Sequence, residues 1–194
     1  MTWPTRSSRT VYENPWIRVV EDEVVRPDGG DGIYGVVEMA HPAAFVVALT
    51  GDDEVLLVTV DRHTVGPSVE VPAGGTDGED PLVAAQRELA EETGYEASEW
   101  RAIGRMTALN GIARAVEHVF LATGARPARG GTGVAGDATD GADASHESRL
   151  EEGISAVRAV PWAETMRMVR SGEITDGETV AALAYAALAL GRLA

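Results

Sequence analysis

The sequence predicts a layered α/β fold in which helices cover a β-sheet. Residues 44–50 and 55–60 are continuous apolar runs, which is typical of strands covered on both faces. Residues 80–93 carry the start and stop signals of a helix. Hydrophobic residues make up 44% of the 194-residue chain, enough to bury a core. We expect one main domain, residues 41–194, after an N-terminal β region of residues 1–40.

The N-terminal β region is predicted to form an antiparallel β-hairpin. Residues 16–27 and 32–39 are rich in Val and Ile, and the Gly-rich turn 28–32 lies between them. The apolar runs 44–50 and 55–60 follow, with a turn signal at residues 51–53. They are the expected central strands.

The helix over residues 80–93 is the most clearly marked element. A strand end and Gly-rich turn, residues 70–75, precede it. Asp80 is suited to cap its start and Pro81 to its first position, while Gly94 follows its last turn. Further on, the patterns predict two strands, a flexible Gly-, Ala- and Asp-rich loop, a third strand and two helices: residues 100–108, 115–122, 124–148, 154–160, 163–170 and 178–190.

Composition narrows the classes of partner. The formal net charge is −15, from 31 acidic and 16 basic residues, which argues against a nucleic-acid or anionic-membrane partner. The chain has no cysteine, so disulfides and zinc–thiolate sites are excluded. Its most apolar stretch, residues 180–190, is shorter than the ~20 residues that span a bilayer. The N-terminus lacks a signal-peptide core, so we expect a cytoplasmic protein.

Three glutamates on the predicted helix are the leading candidates for chemistry. Glu88, Glu91 and Glu92 stand at i, i+3 and i+4, so their carboxylates project from one face. Mg²⁺ takes oxygen ligands and is commonly shared between carboxylates and substrate phosphates. The alternative is a solvated acidic face, which is common in so acidic a chain. The surroundings favour the metal site: Arg87 adjoins these residues, and Glu79 on the entry loop is placed to bridge to it.

Residues 74–95 resemble the Nudix box. The match runs from Glu79 through seven residues to Arg87-Glu88-Leu89-Ala90-Glu91-Glu92-Thr93-Gly94-Tyr95. One departure is a turn one residue short, with four residues instead of five between Gly74 and Glu79, and the family spacing falls on Ala73. The resemblance implies a Nudix-type α/β/α sandwich with a mixed sheet. It also implies metal ligation by Glu88, Glu91, Glu92 and the Ala73 carbonyl, and a Glu79–Arg87 salt bridge.

Residues 11–190 also resemble the ADP-ribose pyrophosphatase branch of that family, through 70–74, 61–63 and the C-terminal segment from Glu151. That branch uses an acidic residue on a late loop to orient or deprotonate the attacking water. Glu151 and Glu152 are the candidates here, and Glu147 stays open. Arg62 is suited to bind a phosphate in bidentate fashion, and the resemblance adds Glu70, Gly74 and Gly75 as substrate contacts. It also implies a homodimer formed through the N-terminal β region.

The predicted function is Mg²⁺-dependent hydrolysis of the diphosphate bond of ADP-ribose or a related nucleoside diphosphate sugar, with Mn²⁺ as a possible substitute. The products would be a nucleoside monophosphate and a sugar phosphate. Two alternatives stay open: a broader activity on nucleoside triphosphates or dinucleoside polyphosphates, and a non-catalytic sensor of ADP-ribose.

Overall fold

The structure is a computed structural model that describes residues 3–128, 149–150 and 152–192. Its main elements, in chain order, are eleven strands and three helices. The strands are β1 (Thr5–Glu13), β2 (Ile17–Val25), β3 (Asp31–Met39), β4 (Ala43–Thr50), β5 (Glu54–Arg62), β6 (Gly66–Glu70), β7 (Ala73–Gly75), β8 (Tyr95–Glu96), β9 (Glu99–Ala108), β10 (Ala113–Pro127) and β11 (Ile154–Pro161). The helices are α1 (Pro81–Thr93), between β7 and β8, then α2 (Trp162–Ser171) and α3 (Gly177–Ala189).

The sheet is mixed, as predicted. Strands β1, β2 and β3 form an antiparallel meander, and β3 pairs in parallel with β10. Strand β10 also pairs in parallel with β4 and antiparallel with β9. Strand β5 pairs antiparallel with β4, β6 and β11, and the short β7 pairs with β4. The N-terminal strands are thus continuous with the sheet of the main domain.

Strand β4 shows why the fold is a three-layer sandwich. Val46 and Ala48 point into a core formed with Leu89 of α1, whereas Val47 and Leu49 point into a core formed with Leu183 of α3. All four β4 side chains are at most 4% exposed. Alternate side chains of a strand face opposite sides of a sheet, so a continuous apolar run requires a helix layer on each side. The predicted α/β/α sandwich is confirmed.

Two parts of the prediction differ from the structure. Strand β1 was not predicted, because all nine of its residues are exposed and its sequence carries no apolar alternation. Residues 124–127, assigned to the flexible loop, instead continue β10. Gly124 adopts φ 65° at a register shift in the β10–β4 pairing, and Arg126 and Pro127 then pair with β8. Residues 129–148 of that loop lie outside the described residues.

No helix in the part of the chain that the structure describes is long and apolar enough to cross a membrane. The apolar segment near the C-terminus is helix α3. Its Ala182, Leu183 and Ala186 are fully buried against the sheet. This helix begins at the Asp176 cap, whose side chain accepts a hydrogen bond from the Thr179 N–H at 2.7 Å.

Candidate functional site

A cleft of about 860 Å³ opens between the N-terminal β region, the middle of the sheet and the start of α3. Five residues that the sequence singled out for metal, substrate or phosphate contacts line it. They are Arg62, Glu70, Ala73, Gly74 and Gly75. Trp16, from the N-terminal β region, and Asp176 and Glu178, from the start of α3, line other parts of its wall. The volume lies within the range of known small-molecule sites.

Helix α1 places Glu88 and Glu92 against Gly74 and Ala73, two residues of the cleft wall. The helix is fixed at both ends, since Asp80 accepts a hydrogen bond from the Leu82 N–H at 2.9 Å and Gly94 adopts a left-handed conformation. Its apolar side, including Leu89, is buried in the core. This packing draws Glu88 and Glu92 inward with it, and they are only 5% and 4% exposed.

Three carboxylates meet at this point. One oxygen from each of Glu88, Glu92 and Glu152 lies within 4.8 Å of the other two. We call this group the carboxylate cluster. Glu152 comes from the segment just before β11, so two distant parts of the chain form the cluster. The Ala73 N–H donates to a Glu92 oxygen at 3.1 Å, which orients that carboxylate. Carboxylate oxygens are the ligands that Mg²⁺ prefers, so these residues fit a divalent cation of that type.

Burial changes the protonation of Glu88 and Glu92, the two buried members of the cluster. Burial raises the pKa of Glu88 to about 7, and the neighbouring charges of Glu152 and Glu91 add to the increase while Arg87 opposes it. The pKa of Glu92 is raised well above its usual value, first by burial and then by Glu88 and Glu152. Desolvation and like charge both favour the neutral acid, and a bound cation would reverse both effects.

Arg87 connects the helix to the loop that precedes it. Its guanidinium donates hydrogen bonds to Glu79 at 3.2 Å, Glu88 at 2.8 Å and Glu91 at 3.0 Å. It also donates to the Gly75 carbonyl at 3.0 Å. The structure therefore contains the Glu79–Arg87 salt bridge that the resemblance implied. Arg87 spans four acceptors with one rigid group, a geometry that a lysine could not reproduce.

Glu91 occupies a different position from its two neighbours. Its side chain is 40% exposed and pairs with Arg87, outside the carboxylate cluster. Its role as a metal ligand stays a prediction. Of the late-loop candidates, Glu152 joins the cluster. Glu151 and Glu147 lie outside the described residues.

Gly74 allows the loop to pass directly over the Glu88 carboxylate. A Cβ at this position would overlap the Glu88 carboxylate. A Cβ at Gly75 would meet only Asp77, at 3.4 Å, which is an ordinary contact. The Gly-rich turn therefore has one position at which glycine is required and one at which it is not.

Arg62 and Glu70 form a bidentate ion pair on the cleft wall. The Arg62 Nε and Nη2 atoms lie 3.1 and 2.5 Å from the two Glu70 oxygens. The hydrogen bond to Glu70 raises the Arg62 pKa. Glu70 is buried and Arg62 is partly exposed, so the pair presents the guanidinium to the cleft in a fixed orientation.

Glu117 is a cleft residue that the sequence reasoning did not single out. It lies on β10 between Ala115 and Val119, which are both buried, and is itself only 7% exposed. Its position in the two-residue period of the strand was the available signal, because Ala115, Glu117 and Val119 share one face. Burial raises its pKa to about 7, and Glu178 and Asp176 add to the increase.

We predict that Gly74→Ala impairs metal binding while Gly75→Ala does not. The new methyl group would displace the Glu88 carboxylate, whereas at residue 75 it meets ordinary contacts. Mg²⁺ affinity, measured by isothermal titration calorimetry, should fall about tenfold or more in Gly74→Ala, the scale seen when ligand support is lost. Equal affinities in the two variants would contradict the assigned role of Gly74.

We also predict that the metal-free protein loses stability as pH rises from about 4.5 to about 7. The pKa of Glu88 is raised from 4.5 to about 7 on folding, so the folded state holds more protons than the unfolded state in this window. The neutral Glu88 carboxyl therefore stabilises the folded state fully below about pH 4.5, and this contribution is lost as pH rises past about 7. Glu92 and Glu117 act in the same direction.

The measurement is urea unfolding in EDTA at pH 5 and pH 8, with Glu88→Gln as the test variant and the exposed Glu99→Gln as its control. Glu88→Gln should lose less stability between the two pH values than the wild type does. Saturating Mg²⁺ should restore wild-type stability at pH 8. If Glu88→Gln leaves the pH dependence of the unfolding free energy unchanged, the titration of Glu88 is not linked to folding.

Protein-family models and known relatives match this chain over most of its length. Residues 3–37 match the family model of the nucleoside diphosphate sugar hydrolase N-terminal domain, and residues 39–183 match that of the NUDIX domain. The chain is similar to the ADP-ribose pyrophosphatase of Mycobacterium tuberculosis, with 32% identity over 180 residues, covering 91% of this chain and 79% of that protein. It is also similar to the methanol dehydrogenase activator of Bacillus methanolicus, with 27% identity over 184 residues, covering 93% and 90%.

The fold is shared with a solved structure. The crystal structure of an ADP compounds hydrolase aligns with a TM-score of 0.76 and 18% identity, covering 100% of this chain and 98% of that chain. The NUDIX match extends over most of the chain and contains both the glutamate helix and its loop. The chain therefore belongs to the Nudix family of hydrolases.

Proposed function

We propose that this protein hydrolyses the diphosphate bond of a nucleoside diphosphate sugar, ADP-ribose or a close relative. The products would be a nucleoside monophosphate and a sugar phosphate. The observation that carries the proposal is the carboxylate cluster beside the cleft, where the wall residues Ala73 and Gly74 lie against Glu92 and Glu88. A diphosphate lying along this wall would bring its phosphorus atoms next to the cluster.

Mg²⁺ is the cation we propose for the cluster, with Mn²⁺ as a possible substitute. When bound, it would neutralise phosphate charge and lower the pKa of an attacking water. Glu88, Glu92 and Glu152 would hold it. The raised pKa values of Glu88 and Glu92 in the metal-free protein are what closely spaced buried carboxylates show when no cation offsets their charge.

The remaining side chains would position the substrate and the cluster. Arg87 keeps the helix and loop in register through its contacts with Glu79 and the Gly75 carbonyl. Arg62 would bind a phosphate with the donors that Glu70 leaves available, since Glu70 engages only its Nε and Nη2 atoms. Glu152 sits at the cluster, so we infer that it takes part in positioning the attacking water.

The substrate class is supported by similarity. The N-terminal match is to a nucleoside diphosphate sugar hydrolase domain, and one relative is named for ADP-ribose. The cleft is also large enough for more than a diphosphate, and it includes apolar wall from Trp16 and Phe45 as well as polar groups. A broader activity on nucleoside triphosphates or dinucleoside polyphosphates is the alternative.

We expect Glu92→Gln and Glu152→Gln to lower kcat on the order of 100-fold or more with ADP-ribose and Mg²⁺, because each removes a proposed ligand charge. In Glu92→Gln the new side-chain amide oxygen can still accept the Ala73 hydrogen bond, so folding should be retained. Glu151→Gln should have a smaller effect, and the exposed Glu99→Gln is the control. Phosphate release is measured after phosphatase treatment of the products.

A substrate panel separates this proposal from the alternative. It contains ADP-ribose, GDP-mannose, ATP and diadenosine tetraphosphate. Faster turnover of the triphosphate or the dinucleoside polyphosphate would favour the broader activity. Lack of turnover of every compound, with near-normal metal binding, would overturn the proposed hydrolysis.

We further propose that the protein is a homodimer joined through its N-terminal β region. Strand β1 forms one edge of the sheet, with all its residues exposed. Large apolar side chains on this region are also exposed, among them Tyr12 at 54% and Ile33 at 70%. Unprotected strand edges and apolar patches of this kind favour association.

Light scattering after size-exclusion chromatography should therefore give about twice the 20.4 kDa chain mass. The double variant Tyr12→Asp/Ile33→Arg should shift the protein to monomer, because it places charge on the exposed apolar surface. Leu188→Arg, on the exposed side of α3, is the matched control. A wild-type protein that is monomeric at micromolar concentration would exclude this dimer.

A further inference from the structure

A second, smaller pocket adjoins the cleft. Its volume is about 270 Å³, and five of its lining residues also line the cleft: Met39, His41, Ala43, Glu117 and Glu178. The other lining residues are apolar, including Val37 of β3, Ile112 and Ala113. We call it the side pocket. Its walls are almost entirely apolar apart from His41 and two carboxyl groups.

Glu117 is the anomalous group in the side pocket. It is more than nine-tenths buried, and its Oε2 atom has no hydrogen-bond partner among the residues that the structure describes. Buried polar atoms are nearly always paired, because leaving one unsatisfied is costly. The Oε2 atom itself is closed to solvent, but Glu117 lines both the cleft and the side pocket, so its carboxyl group is suited to a hydrogen bond from a ligand bound there.

The other acidic groups nearby are already engaged. Asp176 accepts the Thr179 N–H at the start of α3, and Glu178 is hydrogen-bonded to Asp176, which contributes to its raised pKa. These groups do not form a metal site. Among the described residues, the only set of three carboxylates close enough to hold an ion is Glu88, Glu92 and Glu152. Glu117 is therefore better suited to an organic hydrogen-bond donor than to a cation.

The sheet register sets the distance from Glu117 to the diphosphate position. Glu117 on β10 pairs with Ala43 on β4, which pairs with Gly75 on β7. Two strand spacings separate the Cα atoms of Glu117 and Gly75, about 10 Å. A nucleoside attached to a phosphate near Gly74 and Gly75 extends over a comparable length, so its base can reach the side pocket.

An apolar pocket with one hydrogen-bond acceptor matches a nucleobase better than a sugar. A base has apolar faces and donors confined to its edge, whereas a sugar carries hydroxyl groups around its ring. Burying those hydroxyls against Val37, Ile112 and Ala113 would leave them unpaired.

We propose that the side pocket binds the nucleobase of the substrate and that Glu117 accepts a hydrogen bond from an exocyclic amine of that base. Glu117 thereby determines specificity for amine-bearing bases over deaminated ones. This inference rests on the proposed function, since it names the base of the same nucleoside diphosphate substrate. Glu117 takes no part in the hydrolysis itself.

The test compares mononucleotides that differ at one substituent of the purine. IMP differs from AMP at the 6-position and from GMP by the 2-amine, so the two pairs report on the two amine positions. Affinities are measured by isothermal titration calorimetry, which requires no turnover. The variants are Glu117→Gln, which keeps the shape of the side chain, and Glu117→Val, which suits a buried strand position. Glu99→Gln is the control.

At pH 8, above the raised pKa of Glu117, the wild-type protein should bind AMP or GMP about tenfold or more tightly than IMP, as expected for a hydrogen bond to a charged group. Both Glu117 variants should lose most of that preference, and the control should keep it. The inference is overturned if wild-type protein binds IMP as tightly as both amine-bearing nucleotides, or if Glu117→Gln retains the wild-type preference. If the protein hydrolyses no diphosphate substrate, the proposed function is wrong. The ratio of AMP or GMP affinity to IMP affinity is measured without turnover, so it tests the side pocket independently of that result.

A stability measurement tests the premise separately. If Glu117 is unpaired in the free protein, Glu117→Gln should raise Tm at pH 8, by roughly 2–4 °C for each kcal/mol of stability gained in a chain of this size. Added AMP or GMP should raise the Tm of the wild type more than that of the variant. A lower Tm for the ligand-free variant would show that the carboxylate already has a favourable partner.

Discussion

Electrostatic repulsion among three closely spaced carboxylates, two of them buried, is the constraint on which the rest of this site depends. Glu88 and Glu92 are drawn inward because the apolar side of their helix packs into the core, and Glu152 meets them from the segment before β11. The surrounding groups offset that repulsion: Arg87 contacts Glu88, and the Ala73 N–H donates to Glu92. A protein with a net charge of −15 cannot attract a diphosphate by its overall field, so binding must depend on local positive charge.

The same physics gives the site two chemically different parts. Beside Gly74, closely spaced oxygens fit a divalent cation. Around Glu117 the surroundings are apolar, and the described residues do not supply the cluster of oxygens that a cation would need. The Arg62–Glu70 pair holds a guanidinium on the cleft wall. A nucleoside diphosphate carries the same kinds of groups, with charge concentrated on its phosphates and an apolar base.

Strong local signals explain which elements could be predicted. Helix α1 was predicted from its cap, its proline and its final glycine, and all three act in the structure as expected. The central strands were predicted because a run such as 44–50 can be stable only between two apolar layers. Strand β1 escaped prediction because exposed residues leave no pattern. Residues 124–127 escaped it because their strand pairing depends on distant partners: Ala125 pairs with β4, and Arg126 and Pro127 pair with the two-residue β8.

Within the site, local spacing alone determined that Glu88 and Glu92 share a face of one helix and that Arg87 and Glu79 can meet across a short loop. The tertiary fold determined the remaining features of the site, because those features depend on contacts between residues far apart in the chain. It separated Glu91 from the cluster, brought in Glu152 and made glycine necessary at residue 74 but not at residue 75. It also placed Glu117 in an apolar pocket, where the described residues leave one of its oxygens unpaired. Local sequence records the period of a helix or strand, whereas the burial and pairing of a carboxyl group depend on which distant elements pack around it.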